Sequence, residues 1–281
     1  MKSGTFSVII PAFNEEAVIA RTLHVLLGDE GCSVPFDVIV VCNGCSDDTA
    51  AIVNSEFPLV TLVEIQEASK TAAINVGLST ASAGPVLLLD ADIELDGSAA
   101  MAMIAAVDRP GIDAAIGHMR IDTTGADWMV RSFYRVWMEH PYLRNGKFAA
   151  AIALSSTGRR RIGELPAVTA DDTYLRRIIP SARVAVVSTV SFGVCTPRTI
   201  SSLLQVRSRS YRGNRQLSSF DKANVEPKEA RGLLVNLSLK PSLWLDVPVY
   251  LAVTLAARGL SYQNTGIRWE RDLTTRIKVA E

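Results

Sequence analysis

The sequence predicts an α/β fold: a mostly parallel sheet flanked by helices, with a helical C-terminal segment. Two observations carry this. Over the first hundred residues, short apolar runs alternate with stretches whose apolar residues recur at helical spacing. The runs are apolar throughout rather than at every second position. That is the pattern of strands covered on both faces, as parallel strands are. The 281 residues are 48% hydrophobic, enough for a sizeable core, and no linker, repeat or low-complexity run interrupts them.

SVIIPAF (7–13) reads as the first strand and EEAVIARTLHVLL (15–27) as the helix after it. FDVIVVC (36–42) is the second strand. SDDTAAIVNSEF (46–57) is a helix with Ser46 at its N-cap, where a hydroxyl can accept from an unpaired amide. The strand VTLVEI (60–65), the helix SKTAAINVGLSTA (69–81) and the strand PVLLLDA (85–91) follow. Beyond residue 100 the alternation weakens. ADWMVRSFYRVWMEH (126–140) reads as a helix, and AAAIALSS (149–156) and RVAVVSTVSF (183–192) as strands. TISSLLQVRSRSYRG (199–213) reads as a helix running into a basic loop. Residues 1–220 are expected to form the main domain and 221–281 an accessory tail. In that tail, VPVYLAVTLAA (247–257) is far shorter than the roughly 20 residues needed to cross a bilayer, and a buried helix is expected.

Net charge is zero, yet residues 1–100 hold 3 Lys/Arg against 14 Asp/Glu, and residues 101–281 hold 26 against 15. An acidic half suits a cation, and a basic half suits an anionic substrate or a membrane surface. No nucleic-acid partner is expected. The start is too short and too interrupted by Pro11 to read as a signal peptide, and Cys32, Cys42, Cys45 and Cys195 form no secreted disulfide framework. A cytoplasmic location follows, at the inner face of the membrane if the apolar tail makes a peripheral contact.

In parallel α/β sheets, ligands bind beyond the carboxyl ends of the strands. Polar residues collect there each time: Asn14-Glu15-Glu16 after the first strand, Cys42-Asn43-Gly44-Cys45 after the second, and Asp90-Ala91-Asp92 after the fourth. Residues i and i+2 of a strand share a face, so Asp90 and Asp92 repel unless a cation lies beside them. Mg²⁺ and Mn²⁺ favour carboxylate oxygens, and Mg²⁺ often takes only one or two, with substrate phosphates completing its shell. A solvated pair in a turn is the plainer reading of the tripeptide alone; its place on the same rim as the other motifs favours the cation.

Together VIIPAFNEEAVIARTL (8–23), VIVVCNGCSDDT (38–49), SKTAAINVGL (69–78), LLLDADIEL (87–95) and GRRRIGELPAVTADDTYLRR (158–177) resemble the family 2 glycosyltransferases. The resemblance implies a GT-A, Rossmann-like fold. Residues 1–95 would be its nucleotide-binding half and 96–220 its acceptor-binding half. It also implies an inverting, metal-dependent enzyme. A sugar would pass from a nucleotide-diphosphate donor, UDP- or GDP-linked, to a hydroxyl acceptor such as a polysaccharide, lipid carrier or small metabolite. Pro11, Phe13 and Glu15 would touch base or ribose. Asn43 stands where an Asp commonly contacts the nucleobase, and its amide can both donate and accept. Lys70 would lie near the nucleotide. Asp92 would bind Mg²⁺ or Mn²⁺, with Asp90 on the ribose or a metal-bound water. Of Asp171 and Asp172, the second would be the general base. QVRSRSYRGNR (205–215) loosely matches a diphosphate-binding region, making Arg209, Tyr211 and Arg212 candidate contacts.

Each candidate has a plainer alternative. Asp171-Asp172 suits a helix start, where acids oppose the macrodipole. Arg159-Arg160-Arg161 and Arg176-Arg177 are expected on solvated faces. His24, His118 and His140 lack metal-ligand spacing. The main rival function rests on Cys42-x-x-Cys45, a thioredoxin-like signature in which a helix start lowers the first thiol's pKa. A non-catalytic nucleotide-sugar-binding subunit is another. A zinc site would need four ligands, and a dehydrogenase a G-x-G-x-x-G after the first strand; neither is present.

Overall fold

The computed structural model describes residues 6–28, 35–144, 148–220 and 228–263. Cys32 and the ends of the expected tail, 221–227 and 264–281, lie outside the described residues. The elements run β1 (Ser7–Ala12), α1 (Ile19–Leu27), β2 (Asp37–Asn43), α2 (Thr49–Glu56), β3 (Thr61–Ile65), α3 (Lys70–Thr80), β4 (Val86–Leu89) and α4 (Gly97–Val107). They continue with β5 (Ala114–Asp122), α5 (Trp128–Trp137), α6 (Pro141–Arg144), β6 (Ala151–Leu154), α7 (Ser156–Ile162), α8 (Asp171–Ile178), β7 (Val184–Cys195), α9 (Ile200–Phe220), α10 (Lys228–Ser238) and α11 (Val247–Gln263).

One seven-stranded sheet has the order β3-β2-β1-β4-β6-β5-β7. β1 pairs in parallel with β2 (Val8↔Val38) and β4 (Ile9↔Leu88), and β2 with β3. β6 runs antiparallel to both β4 and β5. The residues of β1 and β4 are buried throughout, as their unbroken apolar sequence requires. From β1 the chain steps through β2 to β3 on one side, while β4 lies on the other. β1 and β4 therefore flank a topological switch point, the place where open α/β sheets form their ligand crevice. β1 stops pairing with β4 at Ile9, two residues before Pro11, so the proline falls where the two strands part.

The chain divides into two compact units, Met1–His118 with Phe148–Phe192, and Met119–Lys147 with Gly193–Glu281. In the first, Ile9, Ile39, Val41, Ile74, Leu88, Ile116, Ile152 and Leu175 belong to one buried cluster. Helix α3 lies close on β1 because Gly77 has no side chain; a Cβ there would come within 2.3 Å of Ile9 Cγ2. Asp113 is fully buried and forms ion pairs with Arg161 and Arg183, each at 2.7 Å. Those guanidinium groups hold its carboxyl well below the usual carboxylate range against the opposing effect of burial. In the second unit, α5, α9 and α11 share a core of Val130, Phe133, Trp137, Leu203 and Val253. Asp246, buried, accepts from Ser132 Oγ at 2.5 Å and from Arg135 at 2.7 Å.

Several local expectations change. The first helix starts at Ile19, not Glu15, because Glu15 O accepts from both Val18 and Ile19 amides in a turn. Ser46 does not cap α2, which begins at Thr49; the Ser46 amide donates instead to Asn14 Oδ1 at 2.6 Å. Arg159 is not on a solvated face: its guanidinium donates to the carbonyls of Leu78, Ala81, Ser82 and Gly84 at the end of α3. Arg161 is the partner of Asp113. The basic loop expected after residue 213 is helix, since α9 continues to Phe220. α11 buries one face only: Val253 and Ala257 are inside, while Leu251 and Leu255 are exposed. α4, β5, α6, α7 and α10 lie outside the elements that the spacing predicts.

Candidate active site

Three segments at the carboxyl edge of the parallel strands build the candidate site. The loop after β1 bends at Asn14, whose φ of 52° lies in the left-handed region that Asn tolerates. The bend is tied to the loop after β2. Asn14 Oδ1 accepts from the Ser46 amide, the Glu15 amide donates to Thr49 Oγ1 at 2.7 Å, and the Glu16 amide donates to Asp47 Oδ2 at 3.3 Å. In return the Asp48 amide donates to Glu16 Oε2 at 3.1 Å. Asp47 also accepts from the Thr49 hydroxyl at 2.5 Å. Sequence reasoning missed Asp47 and Thr49 as the residues that place this loop; an acid two residues before a threonine at a helix start was their signal. Pro11 and Glu15 are buried, and Phe13 and Asn14 are half-buried.

Cys45 joins the same seam. Its sulfur accepts from the Asn14 amide at 3.3 Å and its thiol lies 3.4 Å from Ala12 O. The expected acidic thiol was Cys42, but the order is reversed. Cys42 is buried, and its contact with Cys45 pushes the Cys42 thiol up and lowers Cys45 to about 7. Asn43 is fully buried instead of lying at the rim, and neither atom of its carboxamide has a hydrogen-bond partner.

The carboxylates meet at Lys70, the first residue of α3, whose N-cap Ser69 accepts from the Ala72 amide. Lys70 Nζ lies 2.7 Å from Asp90 Oδ1 and 3.0 Å from Asp171 Oδ2. Asp90 follows β4 directly, and Asp171 opens α8. Burial alone would push the Lys70 ammonium down, but Asp171 and Asp90 more than offset it and hold it above its ordinary value. Burial raises the Asp90 carboxyl, as do Asp92 and Asp171, while Lys70 opposes them. Part of the charge that the tripeptide demands is thus an ammonium contributed by α3. Asp92 is exposed and close enough to repel Asp90. Among the described residues no group of three or more His, Cys, Asp or Glu side chains could hold a metal by itself. Asp172 is half-buried beside Asp171, and its Oδ1 accepts from the Thr173 amide at 2.7 Å.

Arg209, Tyr211 and Arg212 lie on α9 in the second unit. Arg212 is buried, and the Tyr211 ring sits against the guanidinium groups of Arg207 and Arg258, at 5.4 and 5.3 Å. His140 is engaged at 2.8 Å by the Tyr250 hydroxyl, and His24 is exposed on α1.

No functionally curated protein is a significant sequence match. Solved structures do match. A mannosyltransferase, PcManGT from Pyrobaculum calidifontis, in complex with GDP-Man and Mn²⁺, is 20% identical with a TM-score of 0.59, over 90% of this chain and 74% of that one. Glucosyl-3-phosphoglycerate synthase from Mycobacterium tuberculosis, in complex with Mn²⁺, UDP and glucosyl-3-phosphoglycerate, is 17% identical with a TM-score of 0.56, over 80% and 82%. The mostly parallel seven-stranded sheet with flanking helices is thus the GT-A fold of these glycosyltransferases. The profile of Glycosyl transferase family 2 matches residues 7–159, more than half of the chain and every segment of the rim from β1 to β4. The chain belongs to the family 2 glycosyltransferases.

Proposed function

We propose that this enzyme transfers a sugar from a UDP- or GDP-linked donor to a hydroxyl acceptor, with inversion and with a divalent ion. The observation that carries the reading is the Lys70–Asp90–Asp171 cluster beside the switch point between β1 and β4. The donors in the two structural relatives, GDP-Man and a uridine nucleotide, support the donor class, and their Mn²⁺ supports the ion. The carboxylates fit it: Asp90 and Asp92 repel each other, and two protein carboxylates suffice for Mg²⁺ or Mn²⁺ when substrate phosphates complete the shell. Held by Asp92 and Asp90, the ion would supply Lewis-acid stabilisation of the diphosphate leaving group.

This chain's own residues would do the rest. The seam around Asn14 sets the loop that carries Phe13 and Glu15 for the nucleoside. Lys70 holds Asp90 and Asp171 in place. Asp172 would take the proton of the acceptor hydroxyl, a task that needs a carboxylate within hydrogen-bond reach. Phosphoglycerate-type acceptors are one candidate class, as in the mycobacterial relative.

A thermal-shift panel of GDP-mannose and UDP-glucose, with and without Mn²⁺, checks the donor. One nucleotide should raise Tm, and only with metal, since a ligand that binds the native state stabilises it by mass action. Equal shifts in the Asp92→Asn variant would remove Asp92 from the metal site.

No helix among the described residues is long and apolar enough to cross a membrane. The exposed Leu239, Trp244, Leu245 and Leu255 in the α10–α11 region support peripheral contact with a membrane surface. Flotation with anionic lipid vesicles should carry the protein upward. Protein left wholly at the bottom of the gradient would exclude the contact.

A further inference from the structure

We infer that Cys42 and Cys45 form a reactive dithiol site for low-molecular-weight disulfides, with Cys45 attacking and Cys42 resolving, and that the disulfide they form unties the loop after β1. The observations are geometric. Cys42 and Cys45 stand at C-x-x-C spacing at the end of β2, and the Cys45 sulfur lies 3.4 Å from the carbonyl of Ala12, the β1 residue paired with Cys42. Cys45 is half-buried and so reachable, whereas Cys42 is buried behind it. That is the division of labour an attacking and a resolving thiol require.

The surrounding groups sharpen it. The Cys42 thiol and the Asn14 amide support a Cys45 thiolate, against burial and the Asp47 carboxylate. Cys42 keeps its proton because of its contact with Cys45, because it is buried, and because Cys45, Glu64 and Asp47 oppose a second negative charge. A thiol whose pKa lies near ambient pH attacks disulfides fastest.

The reaction balances as follows. The Cys45 thiolate attacks one sulfur of a small disulfide. A Cys45–S bond forms, the small disulfide's S–S bond breaks, and a thiolate leaves and takes up a proton. Cys42 then loses its proton and attacks the Cys45 sulfur, and the second small thiolate leaves. Two protein thiols are oxidised, and one small disulfide is reduced to two thiols.

The structural consequence falls on the loop after β1. In the reduced protein, the Cys45 sulfur receives the Asn14 amide and its S–H faces Ala12 O. In the disulfide it has no S–H, and it must move to within about 2.05 Å of the Cys42 sulfur. The left-handed bend at Asn14 then loses one of its ties. The effect on donor binding rests on the reading above, that this loop touches the nucleoside.

The test uses the full chain, reduced and then incubated with oxidised glutathione. Intact mass should fall by two hydrogen atoms, and peptide mapping should show Cys42 and Cys45 joined. Cys42→Ser should instead retain one glutathione on Cys45. Alkylation of Cys45 in the reduced protein should be half-maximal near pH 7. Binding of GDP-mannose or UDP-glucose with Mn²⁺, whichever the reduced protein takes, should weaken about tenfold on oxidation and recover with a reducing agent. Independent alkylation of both cysteines with no loss of hydrogen overturns the dithiol. An oxidised protein that binds donor like the reduced one overturns the untying of the loop. If the reduced protein binds neither nucleotide sugar, the donor reading fails, and the mass result alone decides the dithiol. A glutathione on the exposed Cys195 maps to a different peptide and cannot be confused with it.

Discussion

Asp172→Asn is expected to lower the rate of sugar transfer by about 10²–10⁴-fold, the usual contribution of a positioned general base, while nucleotide-sugar affinity stays nearly unchanged. The two neighbouring acids are held differently. Asp171 is committed to Lys70 at 3.0 Å, so its carboxylate is part of the ion cluster that fixes Asp90. Asp172 is turned by the Thr173 amide and hydroxyl at the start of α8 and pairs with neither. An amide at 172 can still accept from Thr173 but cannot take a proton at neutral pH. The loss should therefore appear in kcat with KM little altered, the mark of an interaction made only in the transition state. Asp171→Asn should behave otherwise, because it removes one of the two partners of the Lys70 ammonium and so disturbs donor binding too. Steady-state kinetics on both variants separates them. A near-normal kcat in Asp172→Asn would remove it as the base.

The second large effect is on stability. Gly158→Ala should cost roughly 3–5 kcal/mol, at the upper end for a single overpacked position. A Cβ there would lie 2.0 Å from Asp113 O, which is backbone and cannot swing aside. The same carbonyl accepts from the Ser155 amide at 3.0 Å, and Ser155 Oγ accepts from the Gly158 amide to cap α7. Moving α7 away to make room would break the Ser155 amide bond to Asp113 O and pull Arg161 from the buried Asp113 carboxylate. Against a typical domain stability of about 5–15 kcal/mol, such a loss is large. Denaturant melts check it, with Gly193→Ala as the control, since a Cβ at 193 meets no atom within 4 Å. Equal midpoints for the two variants would refute the close packing at 158.

What could be read from the sequence was whatever is encoded locally. The strands of the parallel half announce themselves as unbroken apolar runs, and α3 runs within the helix that the spacing over 69–81 predicts. The rim residues fell out of strand ends alone. The illegible parts depend on partners distant in sequence. Nothing near Arg159 shows that it closes the end of a helix begun almost ninety residues earlier. Nothing near Asp90 shows that its counter-charge comes from α3. Asn43 falls at a strand end, where an open rim is expected, yet it is fully buried. A helix start predicts the first thiol of the C-x-x-C as the acidic one, whereas contact with Cys45 and burial push Cys42 up. Ser46 looked like a cap because the tether from Asn14 across the loops has no local trace.

The Arg159 clasp on the carbonyls beyond α3 reaches further than the place it occupies. The eleven residues of α3 span about 16 Å at 1.5 Å per residue, with Lys70 at one tip and the guanidinium at the other. The helix is gripped at both tips and pressed on β1 at Gly77, so a substitution that loosens the Arg159 end would be expected to loosen the ammonium between the two acids as well. The set of the Lys70–Asp90–Asp171 cluster is thus open to substitutions that no map of the crevice lining would mark.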